Sequence, residues 1–157
     1  MKLAKKIAWA LLIIFVGMQF IRPDKNLAED GHEQAFLTET NPPAEVRTIL
    51  KESCYDCHSN NTVYPWYNNI APVSFWIAGH VDEGKEHFNI SAWDSYDAKK
   101  KDHKLEEVVE VMEEHSMPLN EYTWTHEEAR LSQGQIDAIL EWAKKTRSLY
   151  QLGARPE

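Results

Sequence analysis

The feature that most constrains this chain is the run Cys54-Tyr55-Asp56-Cys57-His58, which contains both cysteines of the 157 residues. Its C-x-x-C-H spacing is that of a c-type haem attachment sequence. Two thiols three residues apart on one helical turn can form thioethers with the two vinyl groups of a single haem, and the next residue then places an imidazole under the iron. The pattern predicts one covalently attached haem c, with Cys54 and Cys57 as the attachment residues and His58 as the proximal iron ligand.

Three other uses of a cysteine pair compete with this interpretation. A thioredoxin-like redox pair requires a strand before the motif, and no strand pattern precedes Cys54. A structural zinc site requires two more Cys or His at close spacing, whereas the nearest downstream histidine, His80, stands alone. A disulfide between the two cysteines is the plainest alternative, but it leaves the adjacent histidine unexplained.

The N-terminus carries three lysines followed by an apolar run that begins at Ile7. Counted from Leu3, this stretch is just long enough to cross a bilayer, and no small-x-small cleavage site precedes Pro23. We therefore expect residues 1–21 to be an uncleaved signal anchor, with a cleaved signal peptide as the alternative. The lysines predict a single-pass protein of the cytoplasmic membrane whose C-terminal domain lies on the exported, periplasmic side.

The charge of the chain limits its partners. Without the three lysines of the anchor, the remainder has fourteen Lys and Arg against twenty-five Asp and Glu, a formal charge of −11. Such a surface is repelled by phosphate, so a nucleic acid partner is not expected. The acidic residues could steer the domain toward a basic protein, or they could simply be a solvated surface, since they are spread along the chain.

The periodicity after the anchor predicts helices and no strands. Residues 22–40 are polar and aperiodic, which is typical of a flexible tether. Residues 41–150 are expected to form the haem-binding domain, and residues 151–157 a C-terminal tail. Four helices are predicted in the domain. The first opens after Pro43 with Val46, Ile49 and Leu50 on one face, which Cys54 and Cys57 extend. The second covers about 72–84, the third covers about 102–114 with the apolar stripe Leu105, Val108, Val109 and Met112, and the last begins with the capping box of Ser132 and Gln135. We expect an all-α fold, a small cytochrome c-like helical domain around one haem, preceded by a transmembrane helix.

Several motifs resemble those of the bacterial haem-binding domain family. They are Cys54-Tyr-Asp-Cys-His-Ser-Asn-Asn-Thr-Val-Tyr-Pro-Trp-Tyr67, His80-Val-Asp-Glu-Gly84, Asp102-His-Lys-Leu-Glu106 and Met117-Pro118. The resemblance covers about Pro43 to Lys145. It implies a single c-type haem, one short N-terminal membrane segment and no assigned catalytic activity.

The sixth iron ligand is a choice among a few side chains. Met117 precedes Pro118 in an irregular loop, where a thioether can bend over a haem, and we predict it as the distal ligand. His80 is the alternative distal ligand, and a buried histidine without a ligand role is the plainer interpretation of it. Trp66, Tyr67 and Trp76 are predicted to line the haem pocket.

The predicted haem and its two predicted axial ligands indicate an electron carrier. If both axial positions are filled, no open position remains for a substrate, so we expect a membrane-anchored monohaem c-type cytochrome, not an enzyme, that exchanges electrons with a redox partner protein. The alternatives are a five-coordinate haem sensor or peroxidase-like protein, in which His80 would serve as a distal base, and a haem-stabilised adaptor subunit of a larger redox assembly.

Overall fold

The computed structural model describes residues 2–153 and shows a helical protein, as predicted. Within these residues, β structure is limited to one antiparallel bridge between Leu27 and Asn61. The α-helices are α1 (Lys2–Met18), α2 (Gln34–Thr40), α3 (Ala44–Ser53), α4 (Tyr55–His58), α5 (Val73–His87), α6 (Ala98–Glu113), α7 (Asn120–Thr123) and α8 (Gln133–Gln151). Short 3-10 helices cover Trp66–Asn69, Ile90–Ser95 and Glu127–Ala129.

Helices α3, α6 and α8 form the scaffold, and we call them the core helices. Their apolar stripes are those expected from the sequence: Val46, Ile49 and Leu50 are buried on α3, and Leu105, Val109 and Met112 on α6. The Asp97 side chain caps α6 by accepting from the Lys100 N–H at 2.7 Å. The predicted capping box of Ser132 and Gln135 is confirmed at the start of α8. Helical periodicity and capping chemistry therefore determine this part of the fold.

An aromatic cluster closes the core from the other side. Trp93 and Phe36 are fully buried, and their ring centroids lie 5.0 Å apart in an edge-to-face arrangement. Phe88 and Trp142 add further edge-to-face contacts with Phe36. The Trp142 indole N–H donates to the Thr40 carbonyl at 3.1 Å, which ties α8 to the end of α2.

The predicted transmembrane helix is wrong. Among residues 2–153, no helix is long and apolar enough to cross a membrane. The corresponding helix, α1, is 17 residues long and includes all three N-terminal lysines. At about 1.5 Å per residue it is shorter than the ~30 Å hydrocarbon core, and the lysines shorten its apolar part further. The predicted single-pass localisation in the membrane is therefore wrong as well.

The segment predicted as a flexible tether, residues 22–40, is packed onto the domain. The Asn26 side chain donates to the Ser59 carbonyl at 2.8 Å and accepts from the Lys85 ammonium group at 2.8 Å. Helix α2 lies within this segment and supplies the buried Phe36. These are isolated long-range contacts, which leave no periodic pattern in the sequence. Of the predicted tail, α8 includes Gln151, and residues 154–157 lie outside the described residues.

Candidate haem-attachment site

Residues 54–58, which we call the attachment segment, form a separate helical turn that follows α3. The helix ends at Ser53, Cys54 leaves the helical conformation with φ −124°, and α4 then carries Cys57 and His58. The His58 N–H donates to the Cys54 carbonyl at 2.9 Å, so the three residues lie on one turn. The sequence predicted that both cysteines would simply extend the buried face of α3; the break at Cys54 instead sets α4 off from that helix.

Both cysteines are free thiols. Burial, with a smaller contribution from Cys57, raises the pKa of the Cys54 thiol to about 12. Burial and the adjacent Asp56 carboxylate raise the pKa of Cys57 to about 11. Reactive redox cysteines and zinc ligands require thiolates, which these environments disfavour. Within residues 2–153, moreover, no group of three or more His, Cys, Asp or Glu is arranged to hold a metal ion. The thioredoxin-like and zinc interpretations therefore find no support in this geometry.

The His58 ring has a fixed orientation and a fixed tautomer. Its Nδ1 lies 3.0 Å from the Phe88 carbonyl oxygen, which can only accept, so Nδ1 carries the proton. Burial lowers the pKa of His58 below its ordinary value, although hydrogen bonds to the Phe88 and Gly84 carbonyls partly oppose this shift. The imidazole is thus neutral at pH 7 and its Nε2 retains a lone pair, the state in which histidine binds a metal. The acceptor residue, Phe88, lies just after α5.

Helix α5 approaches the attachment segment closely enough to require glycine. A Cβ placed on Gly84 would lie 2.6 Å from the Cys57 carbonyl oxygen and 3.0 Å from the Cys57 Cβ. Contacts that short do not occur between packed atoms, so only glycine lets α5 pass here. The same turn of α5 leads to Phe88, and the close approach thereby brings the Phe88 carbonyl to His58.

Asp56, between the two cysteines, connects the attachment segment to its surroundings. Its carboxylate accepts from the Val63 N–H and from the Tyr122 hydroxyl, each at 2.9 Å. Its own carbonyl accepts from the Thr62 hydroxyl at 2.6 Å. Burial and the Asp56 charge raise the pKa of Tyr122 well above its usual range, so the hydroxyl remains a donor. The loop after α4 and helix α7 are therefore both held against this turn.

An apolar cleft opens beside Cys57; counted together with its solvent-filled mouth, it measures about 570 Å³. The lining comes from α4, α5, α7 and the loops next to them: Asp56, Cys57, Thr62, Val63, Pro65, Tyr67, Trp76, Ile77, His80, Val81, Leu119, Glu121, Tyr122, Thr125 and His126.

The cleft gathers some of the side chains that the sequence singled out and not others. Tyr67, Trp76 and His80 line it, as does Cys57. Cys54 and His58, on either side of Cys57 in sequence, are not part of the lining, and neither is Trp66, which is 77% exposed. Met117 also lies outside the lining; it packs, partly buried, against the hydrophobic core, two residues before the lining residue Leu119. The structure thus places His80, and not Met117, on the cleft wall.

Two lining residues, Tyr122 and His126, were not recognised from the sequence. Their rings stack with centroids 4.0 Å apart, and His126 Nδ1 donates to the Tyr122 carbonyl at 3.1 Å. His80 is held in the same way, with Nδ1 donating to the Trp76 carbonyl at 2.9 Å. In the sequence His126 is followed by Glu127 and Glu128, an environment typical of an exposed histidine. A spacing of four residues from an aromatic side chain is the one local signal that both histidines share.

The residues present fit a c-type haem. Cys54 and Cys57 provide two thiols on one turn, His58 provides a neutral imidazole whose ring is already oriented, and the adjoining cleft is mostly apolar. A model of a family described as a haem-binding domain matches residues 13–145. No curated protein and no solved structure matches the chain. Since the matched region covers most of the sequence, the chain belongs to the haem-binding domain family and is a haem-binding protein.

Proposed function

We propose that this protein is a monohaem c-type cytochrome that carries electrons, with one haem attached covalently through Cys54 and Cys57. The observation that carries the proposal is the geometry of His58, whose ring is oriented by the Phe88 carbonyl on the same turn as two free thiols. When bound, the haem supplies an iron that accepts and returns one electron.

The residues around the attachment segment hold it in one arrangement. The Phe88 carbonyl orients His58 and increases the basicity of its Nε2, as acceptors of this kind do for metal-binding histidines. Asp56 holds the flanking loop and Tyr122 in place. The apolar lining of the cleft excludes water, which favours a stable redox site over one open to solvent.

Met117 remains our predicted distal ligand, and His80 the alternative. Met117 belongs to a loop and not to a helical stripe, whereas His80 lines the cleft and has an Nε2 without a hydrogen-bond partner among the described residues. A filled distal position would leave no site for a substrate, so we propose a carrier and not an enzyme. Its partner would be another redox protein.

Covalent attachment is tested on the protein expressed together with a haem-attachment system. Haem should migrate with the polypeptide on a denaturing gel and survive acid-organic extraction, and the pyridine adduct should have the spectrum of a haem with two thioethers. Cys54→Ser with Cys57→Ser should abolish attachment. His58→Ala should leave apoprotein, whereas the exposed His87, replaced by Ala, should leave the yield unchanged. Full covalent haem in the double serine variant would contradict the proposal.

The distal ligand is tested by absorption spectroscopy of single variants. If Met117 ligates, the ferric protein shows the weak long-wavelength sulfur-to-iron band, and Met117→Ala removes this band, lowers the potential and opens the iron to carbon monoxide. A Met117→Ala variant with an unchanged low-spin spectrum, together with a high-spin His80→Ala variant, would identify a bis-histidine site.

A second candidate function, a five-coordinate sensor or peroxidase-like protein, is favoured by the position of His80 on the cleft wall. In that case His80 would act as a distal base beside an open iron position. Carbon monoxide binding to the ferrous wild-type protein separates the two candidates, because a six-coordinate carrier binds it slowly or not at all.

A further inference from the structure

The mouth of the cleft is surrounded by exposed apolar side chains. Val63 is 76% exposed, Trp66 77% and Trp76 49%. Val63 and Trp76 belong to the cleft lining. The Trp66 ring packs edge-to-face against the lining residue Tyr67, with the two ring centroids 5.7 Å apart. We call these three side chains the rim. Large exposed apolar side chains grouped beside a cleft are typical of interaction sites, and tryptophan is enriched among the residues that dominate binding energy.

The elements that carry the rim are strongly acidic. We define the cleft elements as residues 55–87 and 119–129, which include α4, α5 and α7. They contain seven Asp or Glu and one Lys, a formal charge of −6 with His neutral. Six of the acids are exposed: Asp82, Glu83, Glu86, Glu121, Glu127 and Glu128. The single Lys of these ranges, Lys85, donates a hydrogen bond to the Asn26 side chain. If Arg130, the residue after the second range, were counted too, the formal charge would be −5.

The core helices have no such imbalance. Helices α3, α6 and α8 together contain nine acidic and nine basic residues. Many of these charges are paired, as in the ion pairs of Arg147 with Asp102 and Glu106. The elements that carry the cleft therefore hold −6 of the formal charge of −11 of residues 22–157, whereas the core helices hold none, and this imbalance directs a positively charged partner toward the cleft.

We propose that the rim is the docking surface for a basic protein, one that presents lysine or arginine around its own redox centre. The proposal rests on the proposed function, and it adds the site and the charge of the electron partner. The acids of the cleft elements would accelerate encounter, and the rim would form the water-excluding contact next to Cys57. One electron would then pass between the two proteins, with no bond made or broken.

The test uses a lysine-rich mitochondrial cytochrome c as the probe. Its binding to the full-length protein is measured by titration at low and at high salt, and the one-electron exchange by stopped-flow absorption. Glu83→Lys with Glu128→Lys should slow association at low salt by about tenfold or more, and the difference should shrink in ~1 M salt, where the Debye length is about 3 Å. Trp66→Ser should weaken binding at both salt concentrations.

The control makes the same charge change on the core helices. Glu110→Lys with Glu141→Lys alters two exposed acids on α6 and α8 and should slow association by no more than about threefold. If the control variant were slowed as much as the cleft variant, only the net charge would matter and the docking surface would be refuted. An unaffected cleft variant would refute it too. The binding titration does not require haem, so loss of covalent haem would overturn the proposed function alone.

Discussion

The core helices and the cleft elements are held together by different forces. In the core, apolar stripes and edge-to-face aromatic rings fill the interior, and the acidic and basic residues are equal in number and often paired. Around the cleft, short helical turns are linked by single polar contacts, such as those of Asp56, and large aromatic side chains remain exposed. The core is therefore expected to be stable by itself, whereas the cleft elements are suited to binding a ligand or a partner protein.

The largest expected effect compares the same substitution in the two regions. Trp93→Ala removes a fully buried ring from the core and should lower the free energy of unfolding by about 3–5 kcal/mol. Trp66→Ala, at the rim, should change it by no more than about 0.5 kcal/mol. Denaturant unfolding of both variants measures the difference. Equal effects would mean that the rim contributes to stability and that the contrast between the regions is wrong.

Two glycines of α5 sharpen the comparison within one helix. Gly84→Ala places a Cβ against the Cys57 carbonyl and should destabilise the protein by about 1–3 kcal/mol through overpacking. Gly79 has no heavy atom within 4 Å of such a Cβ, so Gly79→Ala should stabilise the helix by up to about 1 kcal/mol. Thermal unfolding and the yield of attached haem should move together for Gly84→Ala. If Gly84→Ala lowered the free energy of unfolding but left the yield of attached haem unchanged, the close approach of α5 to Cys57 would not be needed to position the attachment segment.

The link between Asp56 and Tyr122 should have a measurable coupling energy. A double-mutant cycle with Asp56→Ala and Tyr122→Phe is expected to give about 1–2 kcal/mol, since the acceptor is charged and partly shielded from water. Tyr67→Phe removes a comparable hydroxyl, bonded to Thr125 at 2.9 Å, from an exposed position and should cost less. Additive effects of the two substitutions in the cycle would show that the cleft is not held by this contact.

The smallest effect concerns a charge on the core helices. The pKa of Glu106 is held below its ordinary value of 4.5, first by a hydrogen bond with His103 and then by Arg147. Because the folded-state pKa is lowered, this contribution is present above pH 4.5 and is lost as the pH falls through the folded-state value. Glu106→Gln should make stability less dependent on pH in that acidic range. Glu110→Gln, an exposed site on the same helix, should leave the pH dependence unchanged.

The core helices could be predicted because their signals are local. The stripes of α3 and α6 and the capping box at Ser132 each depend on residues three or four apart, and the structure has them where the sequence placed them. Helix α2 and the buried Phe36 were missed, because Phe36 finds its partners Trp93 and Trp142 far along the chain. The membrane helix was wrong because the stretch was counted as far as residue 21, whereas α1 ends at Met18 and contains the lysines.

The candidate site, too, has one part that local sequence predicts and another that depends on the tertiary structure. The C-x-x-C-H spacing is a property of one helical turn, so the sequence alone predicts which residues would attach a haem, and the family that it matches determines that the chain is a haem-binding protein. The tertiary structure decided the rest: that the Phe88 carbonyl orients His58, that Gly84 lets α5 pass, and that Tyr122 and His126 reach the cleft while Met117 packs against the core. These choices depend on contacts between segments distant in sequence, and no local pattern of residue types encodes such contacts.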